Sequence, residues 1–430
     1  MVLADLNRSQ QLRIAVYSQD GFGLGHMRRT SSIVRQLLKH RPDASVLTLS
    51  DSPLGQLFET ASNHDYLKLP SIVKDGPGKW RAIKLSMSIE EVLDLRRHII
   101  RSAVLCFKPH LLLVDHMPHG ALGELTTALE AIKTNGLNTR IVLGLRDILD
   151  APDVIQKRWA AEHAYETLEK YYDRVLVYGM QDVYDLSREY HFKPEISNLM
   201  QYCGFVCTPV KPRYPARVRS QLLNGSNHGA RLILVMAGGG ADAYPMMNSV
   251  LDSLPEVLAK KDCVTIMVTG PFMPAEQRHK LEARSRKMPV RVRNTVSDIL
   301  SYIEAADLVI SMAGYNSTME VLRSGKPAIL IPRSGPSAEQ RTRASLFSAR
   351  NWVQFFEPDN IDSNHLAQVI EAQLNNETRL NSDEKPDLNG VNTAVTHLLA
   401  QIGSTSKRAN GNIPAVRCKS KPMALKPVVV

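Results

Sequence analysis

Short apolar runs alternate with longer stretches of helical periodicity along most of this sequence, and that alternation leaves few folds open. It is the βαβ pattern of mostly parallel sheets covered by helices. In the first half the strand candidates are Leu12–Ser18, Ala44–Leu49, Leu111–Asp115, Ile141–Leu145 and Arg174–Tyr178; in the second they are Leu232–Met236, Val264–Val268, Leu308–Ser311 and Ala328–Ile331. Between the halves, Thr208–Arg231 holds Pro209, Pro212 and Pro215 and then Asn224, Gly225, Ser226, Asn227, His228 and Gly229, a linker composition. The chain has 430 residues, 43% hydrophobic and 22% charged, so two globular domains with sizeable cores are expected rather than one. The reading is an α/β chain of two doubly wound, Rossmann-like domains: residues 1–210, a linker over 211–230, residues 231–403, and a disordered basic tail over 404–430. Ligands of open α/β sheets bind outside the carboxyl ends of the strands, so the site is expected in the cleft between the halves.

The net charge of +10 hints at an anionic partner, but six of the cations, Lys407 to Lys426, follow Gly403 without a single acid, which leaves the rest of the chain at +4. Such a tail serves solubility or a weak attraction to anionic lipid. It has no aromatic residues among its charges, so no nucleic-acid role is expected. Met1–Gln11 has no apolar segment of the secretory kind, and no run approaches the roughly 18 apolar residues of a membrane span, so a cytoplasmic protein is expected, at most peripheral at a membrane surface. Cys106, Cys203, Cys207, Cys263 and Cys418 are irregularly spaced and suggest neither a disulfide framework nor a metal site.

After the first strand comes Gly21-Phe22-Gly23-Leu24-Gly25-His26, then a helical pattern. Glycines at such a turn let backbone N–H groups approach an anion or a sugar. The spacing does not fit the dinucleotide fingerprint, although Asp51 could supply its acid. His26 at the mouth of the turn is the first catalytic candidate; the plainer alternative is a solvated or structural histidine. Asp115, at the end of its own strand, would project at the same sheet edge, where it could fix the imidazole tautomer and leave the other nitrogen to take a proton from a hydroxyl. Asp115 could equally cap the next segment. His116 and His119 could contact a substrate or compete for the base role.

In the second half, Leu232–Met236 runs into Gly238, Gly239 and Gly240, whose backbone entropy a special conformation or a close ligand would justify. Leu308–Ser311 leads into Gly314-Tyr315-Asn316-Ser317-Thr318-Met319-Glu320. Here Asn316 or Ser317 could cap a helix whose N–H groups hold a diphosphate, and Glu320 could accept from two vicinal hydroxyls. Simple capping and a favourable helix dipole would explain each residue singly.

The block Gly314–Glu320, followed by Gly325-Lys326-Pro327, Pro332, Glu339-Gln340 and Arg343-Ala344, resembles the donor-binding signature of GT-B glycosyltransferases that use nucleotide diphosphate sugars. The likeness is greatest to the glycosyltransferase family 28 carboxyl-terminal domain group, relatives of the enzyme that adds N-acetylglucosamine to the undecaprenyl-linked peptidoglycan precursor, and it spans most of residues 11–400. The resemblance implies that Glu320 binds ribose hydroxyls and that Gly314, Asn316 and Ser317 surround the diphosphate. It also implies that Gly23, Gly25, Gly238, Gly239 and Gly240 line the donor, that Glu339 and Gln340 read sugar hydroxyls, and that His26 with Asp115 forms the catalytic pair. Relatives often have a histidine where Met312 stands, and two glutamines near Glu339-Gln340, which leaves the donor sugar open. Arg28 and Arg29 stand where apolar residues are commoner and suggest contacts to a charged acceptor or a donor phosphate, or simply a basic first turn; His116 and His119 are further candidates for acceptor contacts. The expected reaction is transfer of a hexosyl-type sugar from a nucleotide diphosphate donor, UDP-linked, to an acceptor hydroxyl, without metal or cofactor. The acceptor is open among lipid-linked, polysaccharide and small-molecule classes, and a nucleotide-sugar epimerase or a non-catalytic nucleotide-sugar-binding protein is the alternative.

Overall fold

A computed structural model of the chain describes residues 11–19, 25–52, 62–76, 79–227, 229–359, 361–375 and 385–403. Gly23 and the basic tail lie outside them. The strands are β1 Arg13–Ser18, β2 Ser45–Ser50, β3 His64–Lys68, β4 Ile72–Gly76, β5 Lys79–Ala82, β6 Leu111–Asp115, β7 Arg140–Arg146, β8 Arg174–Tyr178, β9 Met200–Tyr202, β10 Arg231–Met236, β11 Cys263–Val268, β12 Val290–Arg293, β13 Leu308–Ser311, β14 Ala328–Leu330 and β15 Gln354–Phe355.

The described residues form two parallel sheets and a small antiparallel ribbon, β4–β5. One sheet runs β3-β2-β1-β6-β7-β8-β9 and the other β12-β11-β10-β13-β14-β15. The inner strands are almost continuously buried, because helices cover both faces of each sheet. Each sheet reverses its strand order once, between β1 and β6 in the first and between β10 and β13 in the second. Most residues singled out in the sequence follow β1, β6, β10 and β13, and Glu339 and Gln340 follow β14.

The strands expected from apolar runs are present, with ends shifted by a residue or so. Those not expected are the two strands of the β4–β5 ribbon and β3, β9, β12 and β15, which lie at the edges of the two sheets and carry polar or charged sequences such as His64-Asp65-Tyr66-Leu67-Lys68 and Val290-Arg291-Val292-Arg293. An edge strand needs no apolar run, since half its surroundings are solvent.

Two helices depart from the sequence reading. Pro215–Leu223, within the stretch read as linker, is a helix that buries Val218 and Leu222 and packs on helix Ile299–Ala305. Proline at the first helical turn begins it rather than breaking it. The final helix, Gly390–Gly403, crosses back onto the first sheet. Its Val391, Ala394, Val395 and Leu398 are buried in one core with Ile14, Val16, Ile33 and Leu37, and Gln36 Nε2 donates to Asn392 Oδ1 at 2.7 Å. The end of the segment read as a second domain thus packs on the first.

Candidate active site

Helix Gly25–His40 is the next described element after β1, and its first turn carries His26 at the carboxyl edge of the first sheet. Asp115 ends β6, the neighbour of β1, so the reversal of strand order brings the two side chains together. His26 Nδ1 lies 2.5 Å from Asp115 Oδ2, with Asp115 fully buried and the His26 side chain 23% exposed. Arg29, one turn on along the same helix, adds a fork: its Nε and Nη2 donate to Asp115 Oδ1 at 3.2 and 2.8 Å, and Nη2 also reaches Oδ2 at 2.7 Å and His26 Nδ1 at 3.0 Å. Burial would raise the Asp115 carboxyl; Arg29 and then His26 outweigh it and hold it below the usual carboxylate range. Asp115 is therefore an anion shared by two partners and not a cap.

Arg29 is only 2% exposed, and its guanidinium lies between the rings of Tyr178 and Tyr315, 5.6 and 5.7 Å from their centroids. It stands behind the histidine, not on a surface that an acceptor reaches. His116, with φ of 70°, places its ring 5.3 Å from that of His26, and its Nδ1 has no hydrogen-bond partner. Burial, with the charge of Arg146, pushes His116 well below the usual imidazole range, so it is neutral at pH 7. His119 is turned away toward Glu162, 3.6 Å off. Asp51, weighed as a dinucleotide acid, is buried 3.4 Å from Arg96 in a cluster with Glu124 and Tyr17.

The second sheet supplies the facing wall. Helix Tyr315–Ser324 follows β13 with Gly314 as its cap and no side-chain cap, so its first N–H groups are not met by the helix itself. Neither Asn316 nor Ser317 caps it; Asn316 Nδ2 instead crosses between the halves and donates to Gly25 O at 3.0 Å. A Cβ on Gly314 would meet nothing within 4 Å, and its φ of −65° suits any residue, so neither backbone nor packing demands glycine there. Gly240 is different. It has φ of +88°, and a Cβ would run into the carbonyl oxygen of Thr269, so this glycine lets two loops touch. Gly238 faces Ser317, whose Oγ would lie 3.6 Å from an added Cβ.

Glu320, one turn further along the helix, is buried, and its Oε1 accepts from Arg28 Nη2 at 2.6 Å across the halves while Oε2 has no partner. Burial raises its pKa, with Arg28 and Arg323 opposing. It lines a cavity of about 420 Å³ with Thr208, Lys211, Ile303, Glu304 and Arg323, within the size range of small-ligand sites. Glu339 accepts from Arg146 Nη1 and Arg343 Nη2, both at 2.8 Å, and these two cations hold it low against the raising effect of burial. Arg343 also forks Asp147 of the first half at 2.6 and 2.8 Å. Gln340 Oε1 accepts from the Arg333 backbone at 3.2 Å.

Sequence reasoning missed Arg146, Asp147 and Tyr178, which sit at the ends of β7 and β8, and Tyr315. Of these only Tyr315 lay inside a segment read as a ligand site. Its hydroxyl donates to Tyr178 O and accepts from Val206 N, both at 2.8 Å. No group of three or more potential metal ligands occurs among the described residues, and no described helix is long and apolar enough to cross a membrane.

Residues 232–398 match the glycosyltransferase family 28 C-terminal domain. The chain is 23% identical over 370 residues, 85% of its length and 89% of the relative's, to the UDP-N-acetylglucosamine–N-acetylmuramyl-(pentapeptide) pyrophosphoryl-undecaprenol N-acetylglucosamine transferase of Bacteroides thetaiotaomicron. The same-named protein of Natranaerobius thermophilus is 25% identical over 43% of this chain, which spans about half, 52%, of that relative. Among solved structures, MurG of Acinetobacter baumannii superposes with a TM-score of 0.58 at 13% identity, covering 90% of this chain and 99% of that one. A putative UDP-N-acetylglucosamine 2-epimerase of Listeria monocytogenes gives 0.62 at 13%, covering 95% and 100%. With two parallel sheets, their strand reversals facing one cleft and that domain match in its second half, the chain has the GT-B fold and carries, over residues 232–398, a glycosyltransferase family 28 C-terminal domain.

Proposed function

We propose that this protein is a glycosyltransferase that moves a hexosyl-type sugar from a nucleotide diphosphate sugar to an acceptor hydroxyl, with His26 as general base. The observation that carries the reading is the His26–Asp115 pair at 2.5 Å, held opposite the uncapped N-terminus of helix Tyr315–Ser324 by the Asn316–Gly25 bond. A neutral imidazole that donates Nδ1–H to Asp115 leaves Nε2 to take the acceptor proton as the acceptor oxygen attacks the anomeric carbon. The bond from that carbon to the diphosphate breaks, and the charge developing on the leaving group is met by the first N–H groups of the helix and the backbone at Gly238 and Gly239, without a metal ion. The unpartnered Glu320 Oε2 suits a ribose hydroxyl donor, with the adjoining cavity giving the nucleoside room. UDP-N-acetylglucosamine and a polyprenyl-linked acceptor are the first pair to test, because the relatives' names carry both; such an acceptor would place the protein at the cytoplasmic face of a membrane.

The test is turnover by the purified full chain with radiolabelled nucleotide sugars and a panel of lipid-linked, polysaccharide and small-molecule acceptors. Transfer is expected, with kcat lowered about 10² to 10⁴-fold in His26→Ala and donor affinity unchanged. Conversion of the donor to its epimer without acceptor would replace this reading with the epimerase one. Binding without turnover of any donor would make the chain a nucleotide-sugar-binding protein.

A further inference from the structure

We infer that Arg29 is a positioning residue for the base: its fork holds Asp115 aimed at Nδ1, so that Nδ1 carries the hydrogen and Nε2 is left to accept a proton. The inference deepens the proposed mechanism and rests on His26 being the base.

The geometry around Nδ1 allows two arrangements that exclude each other. Either Nδ1 carries the hydrogen and donates it to Asp115, with Nε2 free as a base, or Nδ1 is bare and accepts from Arg29 Nη2, which puts the hydrogen on Nε2 and makes that atom a donor. The contact to Asp115 is 2.5 Å and that to Arg29 is 3.0 Å, and Arg29 Nη2 already serves both carboxylate oxygens at 2.8 and 2.7 Å. The first arrangement is therefore the one that the distances favour. Arg29 cannot easily leave its place, since it is 2% exposed and held between Tyr178 and Tyr315, one from each half, which are themselves joined by a hydrogen bond of 2.8 Å.

A buried carboxylate next to a histidine favours the imidazolium and can accept from the ring only where it is aimed at a ring nitrogen. Here the fork from Arg29 sets that aim. The other groups around the ring do not fill this role. His116 is neutral, Arg28 is turned to Glu320 at 2.6 Å, and Arg146 is turned to Glu339 at 2.8 Å.

The experiment is nitrogen-15 NMR of the histidine side chains in the full chain, with the His26 signals assigned by their loss in His26→Gln. In the wild type, Nδ1 is expected to be protonated and Nε2 bare; a bare Nδ1 with the hydrogen on Nε2 would show that Arg29 donates to the ring, and hydrogens on both nitrogens would show a charged ring, and either would overturn the inference. This arm needs no variant that might misfold. In Arg29→Met the fixed tautomer should be lost, with the Nδ1 and Nε2 signals averaging between the two forms, and kcat should fall about tenfold with the KM for donor unchanged. Arg29→Lys, which keeps the charge and loses the fork, should likewise leave the tautomer mixed and kcat low, with the KM for donor unchanged. A folded Arg29→Met with the wild-type tautomer would make Arg29 a packing residue only. The NMR result stands whether or not transfer is detected, so failure of the catalytic reading and failure of this inference are told apart.

Discussion

Arg343→Met should destabilise the protein by about 3 kcal/mol, at the lower end of the range for breaking a buried ion pair from one side. Arg343 is fully buried on helix Glu339–Ser348, donates to Asp147 at 2.6 and 2.8 Å and to Glu339 at 2.8 Å, and its Nη1 donates to Ala313 O at 2.7 Å. Methionine keeps much of the volume and removes all four bonds. The lower end applies because neither carboxylate is left bare: Ile148 N still donates to Asp147 at 2.9 Å, and Arg146 still serves Glu339 at 2.8 Å. The assay is urea unfolding followed by circular dichroism, read at the first transition because the halves need not unfold together. A thermal midpoint lower by roughly 6 °C is the matching expectation. Adding Asp147→Asn should recover part of the loss, since the stranded charge is gone. Acidification should narrow the gap as well. Glu339 is held below its ordinary value in the fold, so its contribution is present above an unfolded pKa of about 4.3 and is lost as pH falls through the lower folded value. An unchanged midpoint in Arg343→Met, or a double variant worse than either single one, would refute the network as a tie between the halves.

Three other outcomes are expected. Glu320→Ala should weaken UDP binding in calorimetric titration by about 1.5–3 kcal/mol, through loss of a buried charged acceptor; equal affinities would remove Glu320 from the site. Gly240→Ala should lower stability and UDP affinity together, because the Cβ collides with the Thr269 carbonyl oxygen at φ of +88°, whereas Gly314→Ala, with open space around it, should leave the thermal midpoint unchanged and affect only ligand binding. Ending the chain after Asn375 should expose the core under Val391, Ala394, Val395 and Leu398 and give insoluble or partly unfolded protein, while ending it after Gly403 should preserve the thermal midpoint.

The parallel α/β architecture was legible because strands buried on both faces must be apolar throughout, and Leu111–Asp115 or Leu232–Met236 read as strands for no other reason. The Gly238–Gly240 turn and the Gly314–Glu320 block were legible because they are local, each lying within a few residues of a strand end. The edge strands were not, since solvent relieves them of the need for apolar sequence. Nor was the return of helix Gly390–Gly403 to the first sheet, for its amphipathic pattern says that it packs but not on what.

The pairing of His26 with Asp115 was accessible as an expectation because both follow strands that a doubly wound sheet sets side by side. What Arg28 and Arg29 do was not. Adjacent in sequence, they differ by about 100° around the helix, and that rotation sends one to Glu320 in the other half and the other inward to Asp115. The same limit covers Arg146, Asp147 and Arg343, whose charges look like ordinary surface residues until the two halves close and desolvate them. Local sequence determined which segments could become strands, turns and helix starts, since propensity and periodicity act over a few residues. The partners of Arg28, Arg29, Arg146 and Asp147 were decided by the tertiary structure, because burial and long-range approach set whether a charge is solvated, paired or left to act on a substrate.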